Sequence, residues 1–382
     1  MSPRVLFVCH TGSVSGAELV LLDVVQPWAG QSALLFEDGP LNQALAARGL
    51  NVRISRWGDG LNDVRRNSSF AKVAPVIGAM YGIVAEVARF ARKHDVVYAN
   101  SQKAFVLSAI AAKLVGRPLI WHLHDIISPA HFGKMQRRVQ VLLANHCTIK
   151  VVVPSKAAAD AFVAEGGRRE LVAIVPNGLD ISPETQTSAE LRGELNLPQG
   201  PLIGVFSRFA EWKGQHVVLQ ALAKRPGVSC IIAGSALFGE EAYERRLQQM
   251  VQDLDIADRV HFLGQRSDVP RLMRAVDAVI HPSIDPEPFG RTLVEAMLAE
   301  VPVIATDAGA ASDILEGGKA GMLVLPGDSD ALAQAIDKVI PRSSELVEQI
   351  NYAAIRARSH YGVAQMLDAT SRLIRQAAGD QA

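Results

Sequence analysis

The sequence predicts an α/β protein made of two doubly wound, Rossmann-like parallel sheets. Short β-branched runs of strand length alternate with longer stretches of helical period, the pattern of βαβ units with parallel strands. That alternation is interrupted near mid-chain by Pro176-Asn177-Gly178-Leu179-Asp180 and a polar stretch to Pro198, then restarts. The length of 382 residues exceeds one ordinary core, so two domains are expected. The expected boundaries are 1–177, 178–360, and a closing segment 361–382 whose amphipathic helix, Ala364–Ala378, returns to the first domain.

In chain order, Val5–Val8 is a strand, followed by the glycine-containing loop His10 to Glu18 and an apolar helical run from Leu19 to Val25. The stretches Ala33–Phe36 and Val52–Ile54 are strands, and Leu41–Arg48 is a helix ended by Gly49. Ala71 to Ala91 is the most apolar long segment, but Lys72, Glu86 and Arg89 interrupt it, which favours a helix over a membrane span. Val96–Ala99 leads into a loop at Asn100-Ser101 and the helix Ala104–Leu114. The strands Leu119–Asp125, Val151–Val153 and Val172–Val175 complete the half. The second half has strands at Leu202–Ser207, Ser229–Ala233, Val260–Leu263, Ala275–Pro282, Val301–Ala305 and Gly321–Val324. Helices are expected near Gln215–Leu222, over Thr292–Ala299 and from Ala331 onward. No internal repeat or low-complexity segment is present.

Composition is that of a globular chain, with 49% hydrophobic and 20% charged residues. The N-terminal run Arg4 to His10 is too short for a signal peptide and reads as a strand. Cys9, Cys147 and Cys230 are odd in number and far apart, which fits neither a disulfide framework nor a zinc site and suits a reducing, cytoplasmic compartment. The net charge of zero conceals an asymmetry. Through Asp180 there are 20 Lys and Arg against 13 Asp and Glu, and afterwards 19 against 26. The basic first half suits an anionic membrane surface or a pyrophosphate-bearing acceptor, or else carries only scattered solvated arginines. Its basic pairs are Arg65, Arg66, Arg89, Arg92, Lys93, Arg137 and Arg138. No nucleic-acid partner is expected.

The chemistry concentrates in Asp285-Pro286-Glu287-Pro288-Phe289-Gly290-Arg291-Thr292-Leu293-Val294-Glu295. Glu287 falls on a loop at the C-terminal end of a strand, where ligands bind in open α/β sheets. Glu295 lies in the helix that follows. The backbone N–H groups of Phe289, Gly290 and Arg291 open that helix and could face an anion. Two carboxylates beside such donors suit the hydroxyls and pyrophosphate of a sugar nucleotide. Two glutamates eight apart would otherwise be a solvated helix face.

The Glu-x7-Glu spacing around Pro-Phe-Gly resembles the donor motif of the retaining glycosyltransferases of family 4, which have the GT-B fold of two Rossmann-like domains facing a cleft. Arg208 with Trp212-Lys213-Gly214-Gln215 resembles the same family's Arg and Lys-Gly pair, which stabilises the departing nucleoside diphosphate. Together these motifs look most like bacterial exopolysaccharide-type mannosyl and glucosyl transferases. The resemblance implies that Arg208, Lys213, Glu287 and His124 form the catalytic set. It implies donor binding by Gly12, Gly16, Ser207, Gly234, Phe289, Gly290, Arg291, Thr292, Leu293 and Glu295. His122 and His124, two apart on a strand, share a face. His124 is the one expected to position the donor sugar or relay a proton near neutral pH, and His122 is as readily a core histidine. Gly12 and Gly16 either bring backbone close to a ligand or serve a turn needing positive φ. Ala308-Gly309-Ala310-Ala311-Ser312-Asp313-Ile314 resembles a second nucleotide-facing loop, with Ser312-Asp313 where the family form has Pro-Glu. Gly264 to Val269 and Gly234-Ser235 would line the base pocket.

The expected reaction is transfer of a hexose from a GDP-mannose or UDP-glucose type donor to a glycan, lipid-linked or other hydroxyl acceptor, with retention. No cofactor is expected, and with no paired Asp-x-Asp beside the motifs, no metal. Two rivals share the architecture: a nucleotide-sugar epimerase, which turns over without acceptor, and a non-catalytic sugar-nucleotide-binding subunit. The acceptor-side half would touch the inner face of the membrane if its basic pairs share one surface.

Overall fold

The computed structural model describes residues 2–58, 73–180, 186–237 and 239–379, with the side chains of 73–76 left aside. The chain divides into two compact units: Met1–Gly178 joined by Val363–Ala382, and Leu179–Gly362.

The first unit carries a seven-stranded parallel sheet. Its strands are β1 (Val5–Cys9), β2 (Ser32–Leu35), β3 (Asn51–Ile54), β4 (Val96–Ala99), β5 (Leu119–His122), β6 (Lys150–Val153) and β7 (Val172–Ile174), in the order β3-β2-β1-β4-β5-β6-β7. Strands β1, β4 and β5 are buried along their whole length, which is why they read as continuous apolar runs instead of alternating ones. One face is covered by helices Val73–Ala91 and Gln102–Leu114, which pack on Leu6, Val8 and Leu34 around the stacked rings of Phe105 and Trp121. The C-terminal helix Val363–Ala377 belongs here too, burying Met366 and Ile374 with Val20, Val5 and Ile120.

The second unit repeats the plan with six parallel strands: β8 (Leu202–Phe206), β9 (Ser229–Ala233), β10 (Val260–Gly264), β11 (Ala278–His281), β12 (Val303–Thr306) and β13 (Met322–Val324). Their order, β10-β9-β8-β11-β12-β13, mirrors that of the first sheet. In each unit the strand order reverses between the first and fourth strands, so the two switch points lie between β1 and β4 and between β8 and β11. Ligand crevices form outside the C-terminal ends of strands at such points.

Two expectations change. The run from Ala275 is not all strand: Ala275 ends the helix Val269–Ala275, and its carbonyl accepts Arg192 Nε at 2.6 Å and Ser188 Oγ at 3.1 Å. The polar mid-chain stretch also contains a helix, Ser188–Glu194, opened by a Thr187–Glu190 capping box and anchored by buried Leu191 and Arg192. Its polarity is consumed internally, since Arg192 also pairs with Asp277 at 3.0 Å. No described helix is long and apolar enough to cross a membrane.

Candidate active site

The second switch point gathers the charged residues that the sequence singles out. Just beyond β8, Ser207 and Arg208 are held by Gln215, a buried residue whose Nε2 donates to Ser207 Oγ and to the Arg208 carbonyl, each at 2.9 Å. The following 3-10 turn, Glu211–Lys213, presents Trp212. Both cations lie against that indole, Arg208 Cζ at 5.4 Å and Lys213 Nζ at 4.3 Å from the ring centre. Arg208 also pairs with Glu240 at 2.5 Å, both side chains partly exposed.

Lys213 reaches across to the loop after β11, where its Nζ lies 2.5 Å from Glu287 Oε1. The same oxygen accepts from Ser283 Oγ, and His281 Nε2 lies 3.2 Å from it. His281 is in turn fixed by Thr292 Oγ1, 2.9 Å from Nδ1. Three donors converge on Oε1, whereas Oε2 makes no hydrogen bond among the described residues. Burial alone would push the Glu287 carboxyl up, but Lys213 and His281 outweigh it and hold it well below the usual carboxylate range. Glu287 is thus an ionised acceptor with one oxygen committed and one open.

Helix Arg291–Leu298 starts at Gly290, which has φ 78°, and leaves its first N–H groups without intrahelical acceptors. Glu295 sits one turn in, 3.6 Å from Arg291; burial raises its pKa, with Arg291 opposing. Phe289 and Leu293 place their side chains in the apolar core, Phe289 edge-on to Tyr361 with ring centres 5.7 Å apart. Only their backbone could meet a ligand. The Ala308–Ile314 loop lies against this motif, Ala310 N donating to the Glu287 carbonyl at 3.0 Å. A Cβ on Gly309 would stand 2.3 Å from the Glu287 backbone N and O, so this glycine is small to admit Glu287. Gly234, after β9, donates its N–H to the Gly264 carbonyl at 2.8 Å.

The first unit holds the remaining residues. Neither Gly12 nor Gly16 has φ in the left-handed region. Gly12 is small because the Asp38-Gly39 backbone crosses it, where a Cβ would meet Asp38 O at 2.2 Å. Gly16 opens the helix Gly16–Val24, whose Glu18 accepts from the Ser15 N–H at 3.2 Å. His122 is a core histidine, its Nδ1 2.7 Å from Tyr98 Oη. His124 packs against it with ring centres 3.9 Å apart and planes tilted by 37°, and its Nε2 donates to Asn100 Oδ1 at 3.0 Å. Although part of His124 reaches solvent, desolvation by the surrounding protein lowers its pKa to about 3. Desolvation thus favours the neutral ring, with Nε2 donating to Asn100 and Nδ1 left as an acceptor.

The sequence reading passed over His281, Ser283 and Thr306, the polar support behind Glu287. Thr306 Oγ1 donates to the Ser283 carbonyl at 2.5 Å, and Ser283 donates to Glu287. Their available signal was position, three polar residues at the C-terminal ends of adjacent strands β11 and β12. Arg65 and Arg66, among the basic pairs, lie outside the described residues.

Comparison with known proteins agrees with this fold. Residues 188–357 match the family model of glycosyl transferases group 1, and residues 41–183 match that of glycosyltransferase family 4. The crystal structure of Anabaena HepE in complex with UDP is 37% identical, with a TM-score of 0.86 over 98% of this chain and 100% of that one. The same protein has been solved with UDP-glucose. The lipopolysaccharide core biosynthesis mannosyltransferase LpsB of Rhizobium meliloti is 32% identical over 191 residues, 46% of this chain and 54% of that protein. The D-inositol 3-phosphate glycosyltransferase of Corynebacterium urealyticum is 25% identical over 81% of this chain and 79% of its own length. The chain spans about half the length of the Rhizobium relative that it matches. With two Rossmann-like parallel sheets, both family models matched and a full-length relative above one-third identity, the chain belongs to the GT-B glycosyltransferases of family 4.

Proposed function

We propose that the chain is a retaining hexosyltransferase that moves a sugar, glucose being the first choice, from a UDP-sugar to a hydroxyl of a glycan or lipid-linked acceptor. The observation that carries this reading is the contact of Lys213 with Glu287 at 2.5 Å, with Arg208 on the same indole. A diphosphate arriving here meets two cations and the open N–H groups of the Gly290 helix start, donors suited to the charge that develops on a leaving phosphate. Glu287 Oε2 accepts a hydroxyl of the transferred sugar, and Glu295 accepts from the ribose. The acceptor enters on the leaving-group side and the departing phosphate takes its proton, which yields retention. UDP is preferred over GDP because the 37%-identical Anabaena protein binds UDP.

The acceptor-side unit supports a weak contact with anionic membrane. Helix Lys134–Cys147 exposes Met135 at 76% and Leu142 at 59%, beside exposed Lys134 and Arg138. Arg137, one of the expected basic pair, is instead engaged with Glu165 at 2.9 Å. Co-sedimentation with anionic liposomes at low and high salt tests this contact, and no pelleting at low salt removes it.

The test of the activity is incubation with UDP-glucose or GDP-mannose, with and without hydroxyl acceptors, followed by the anomeric configuration of the product. Transfer with an α-product confirms retention from an α-donor. Turnover of donor alone to a free altered sugar supports the epimerase instead. A thermal-shift comparison of UDP, GDP and ADP identifies the base, since a ligand at 100 Kd stabilises by about 2.7 kcal/mol.

A further inference from the structure

The first unit contains a cavity of about 380 Å³ lined by none of the candidate active-site residues, between the edge strand β3 and the C-terminal half of helix Val73–Ala91. That volume lies in the usual range of small-molecule sites, about 300–1,000 Å³. Four cations surround it: Arg53 from β3, Arg56 just beyond, Arg89 from the helix and Lys93 after it. The side chains of Arg53, Arg56 and Lys93 make no ion pair or hydrogen bond among the described residues. The one acid present, Glu86, is already engaged, accepting from Ser55 Oγ at 2.8 Å and standing 3.7 Å from Arg89. Four positive charges around one hollow repel one another, and a bound anion would relieve that repulsion. The cavity also has an apolar wall, Ile54 and Phe90, both half-buried. Arg89 already lies 5.4 Å from the centre of the Phe90 ring. Strand β3 is the sheet edge, so backbone polar groups on its outer side are unpaired within the sheet.

Cations around an aromatic wall, with edge backbone groups beside it, suit a ring with hydroxyls and a fixed negative charge. We propose that this cavity binds an anionic saccharide, a sugar unit carrying carboxylates. It would serve as a subsite that holds the acceptor chain apart from the reacting hydroxyl. That role rests on the proposed function; the binding itself does not.

The experiment uses the full chain without donor. Titration with a digalacturonate, its neutral galactose counterpart, inorganic pyrophosphate and phosphatidylglycerol vesicles separates charge, sugar and lipid. The uronate disaccharide is expected to bind, the neutral one not. The affinity should weaken about tenfold between ~0.05 and ~0.5 M salt as screening shortens. Arg53→Ala with Lys93→Ala, both exposed, should lose about tenfold in uronate affinity with an unchanged unfolding midpoint and unchanged UDP binding. Equal binding of the neutral sugar, wild-type affinity in the double variant, or binding confined to pyrophosphate or vesicles would each overturn the assignment. Absence of UDP binding in the wild type counts against the proposed function alone, so the two failures are distinguishable.

Discussion

Replacing Lys213 by methionine keeps most of the side-chain stem and removes its charge, leaving Glu287 with only His281 and Ser283. The pair is 2.5 Å apart, with side-chain exposures of 14% and 9%. At an effective dielectric of about 20, Coulomb's law gives about 7 kcal/mol of attraction at that distance, before desolvation is subtracted. Losing one partner of such a pair costs about 3–5 kcal/mol, because the other charge stays buried. Glu287→Gln alone should cost a comparable amount by stranding the ammonium. The double variant Lys213→Met with Glu287→Gln strands neither charge, so it should recover most of the loss. Chemical denaturation of the four proteins gives the coupling, and Trp212 fluorescence reports locally because Lys213 Nζ lies 4.3 Å from its ring centre. On the proposed roles of Lys213 toward the diphosphate and Glu287 toward the sugar, recovery of stability in the double variant should come without recovery of transfer. A coupling below about 0.5 kcal/mol would refute the buried-pair argument. Activity in the double variant would refute the site.

Arg208→Ala breaks a partly exposed pair with Glu240 and the contact with the Trp212 ring, so its stability should change by about 1–2 kcal/mol. Turnover at saturating donor should fall by about 10²–10³, and initial rates near wild type would detach Arg208 from the leaving phosphate. Glu295→Gln should weaken free UDP by about 1.5–3 kcal/mol in calorimetry if the carboxylate holds the ribose, whereas Glu287→Gln should leave UDP affinity nearly intact. Acid should destabilise the fold between pH ~6.5 and ~3. His10 and His124 are held neutral, with pKa values lowered from 6.5 to about 4 and about 3, mainly by burial. In that window the unfolded chain binds more protons than the native one, so stability falls as pH falls. Midpoints measured against pH should show a shallower slope for His124→Gln, and an unchanged slope would contradict the desolvated ring.

The strands were legible because buried parallel strands are apolar from end to end, as in Val5–Cys9 and Val96–Ala99. Helix Glu241–Asp253 was not, since its core contact is only Tyr243, Leu247 and Val251, one residue per turn in a polar run. In the site, the sequence placed Lys213 and Glu287 each at a strand's C-terminal end. Their contact, across 74 positions, comes from the adjacency of β8 and β11 and is invisible in local spacing. His281 read only as the last residue of a strand, because nothing in the one-dimensional pattern aims its ring at Glu287. The glycines signal close approach, and the chain's own backbone is one approaching group: Asp38 at Gly12 and Glu287 at Gly309.

The return of helix Val363–Ala377 to the first unit sets a timetable for biosynthesis. Met366 accepts the Gly178 N–H at 3.1 Å through its sulfur, and Ile374 is fully buried in one core cluster with Val5 and Val20, more than 350 positions earlier in the chain. In order of synthesis, the helix that packs on the Gly16–Val24 side follows the whole second unit. At ordinary elongation rates of about 5–20 residues per second that delay is roughly 10–40 s. During it the apolar surface around Val20 is open to chaperones or to a neighbouring nascent chain, and a ribosome stalled within the second unit would leave it so.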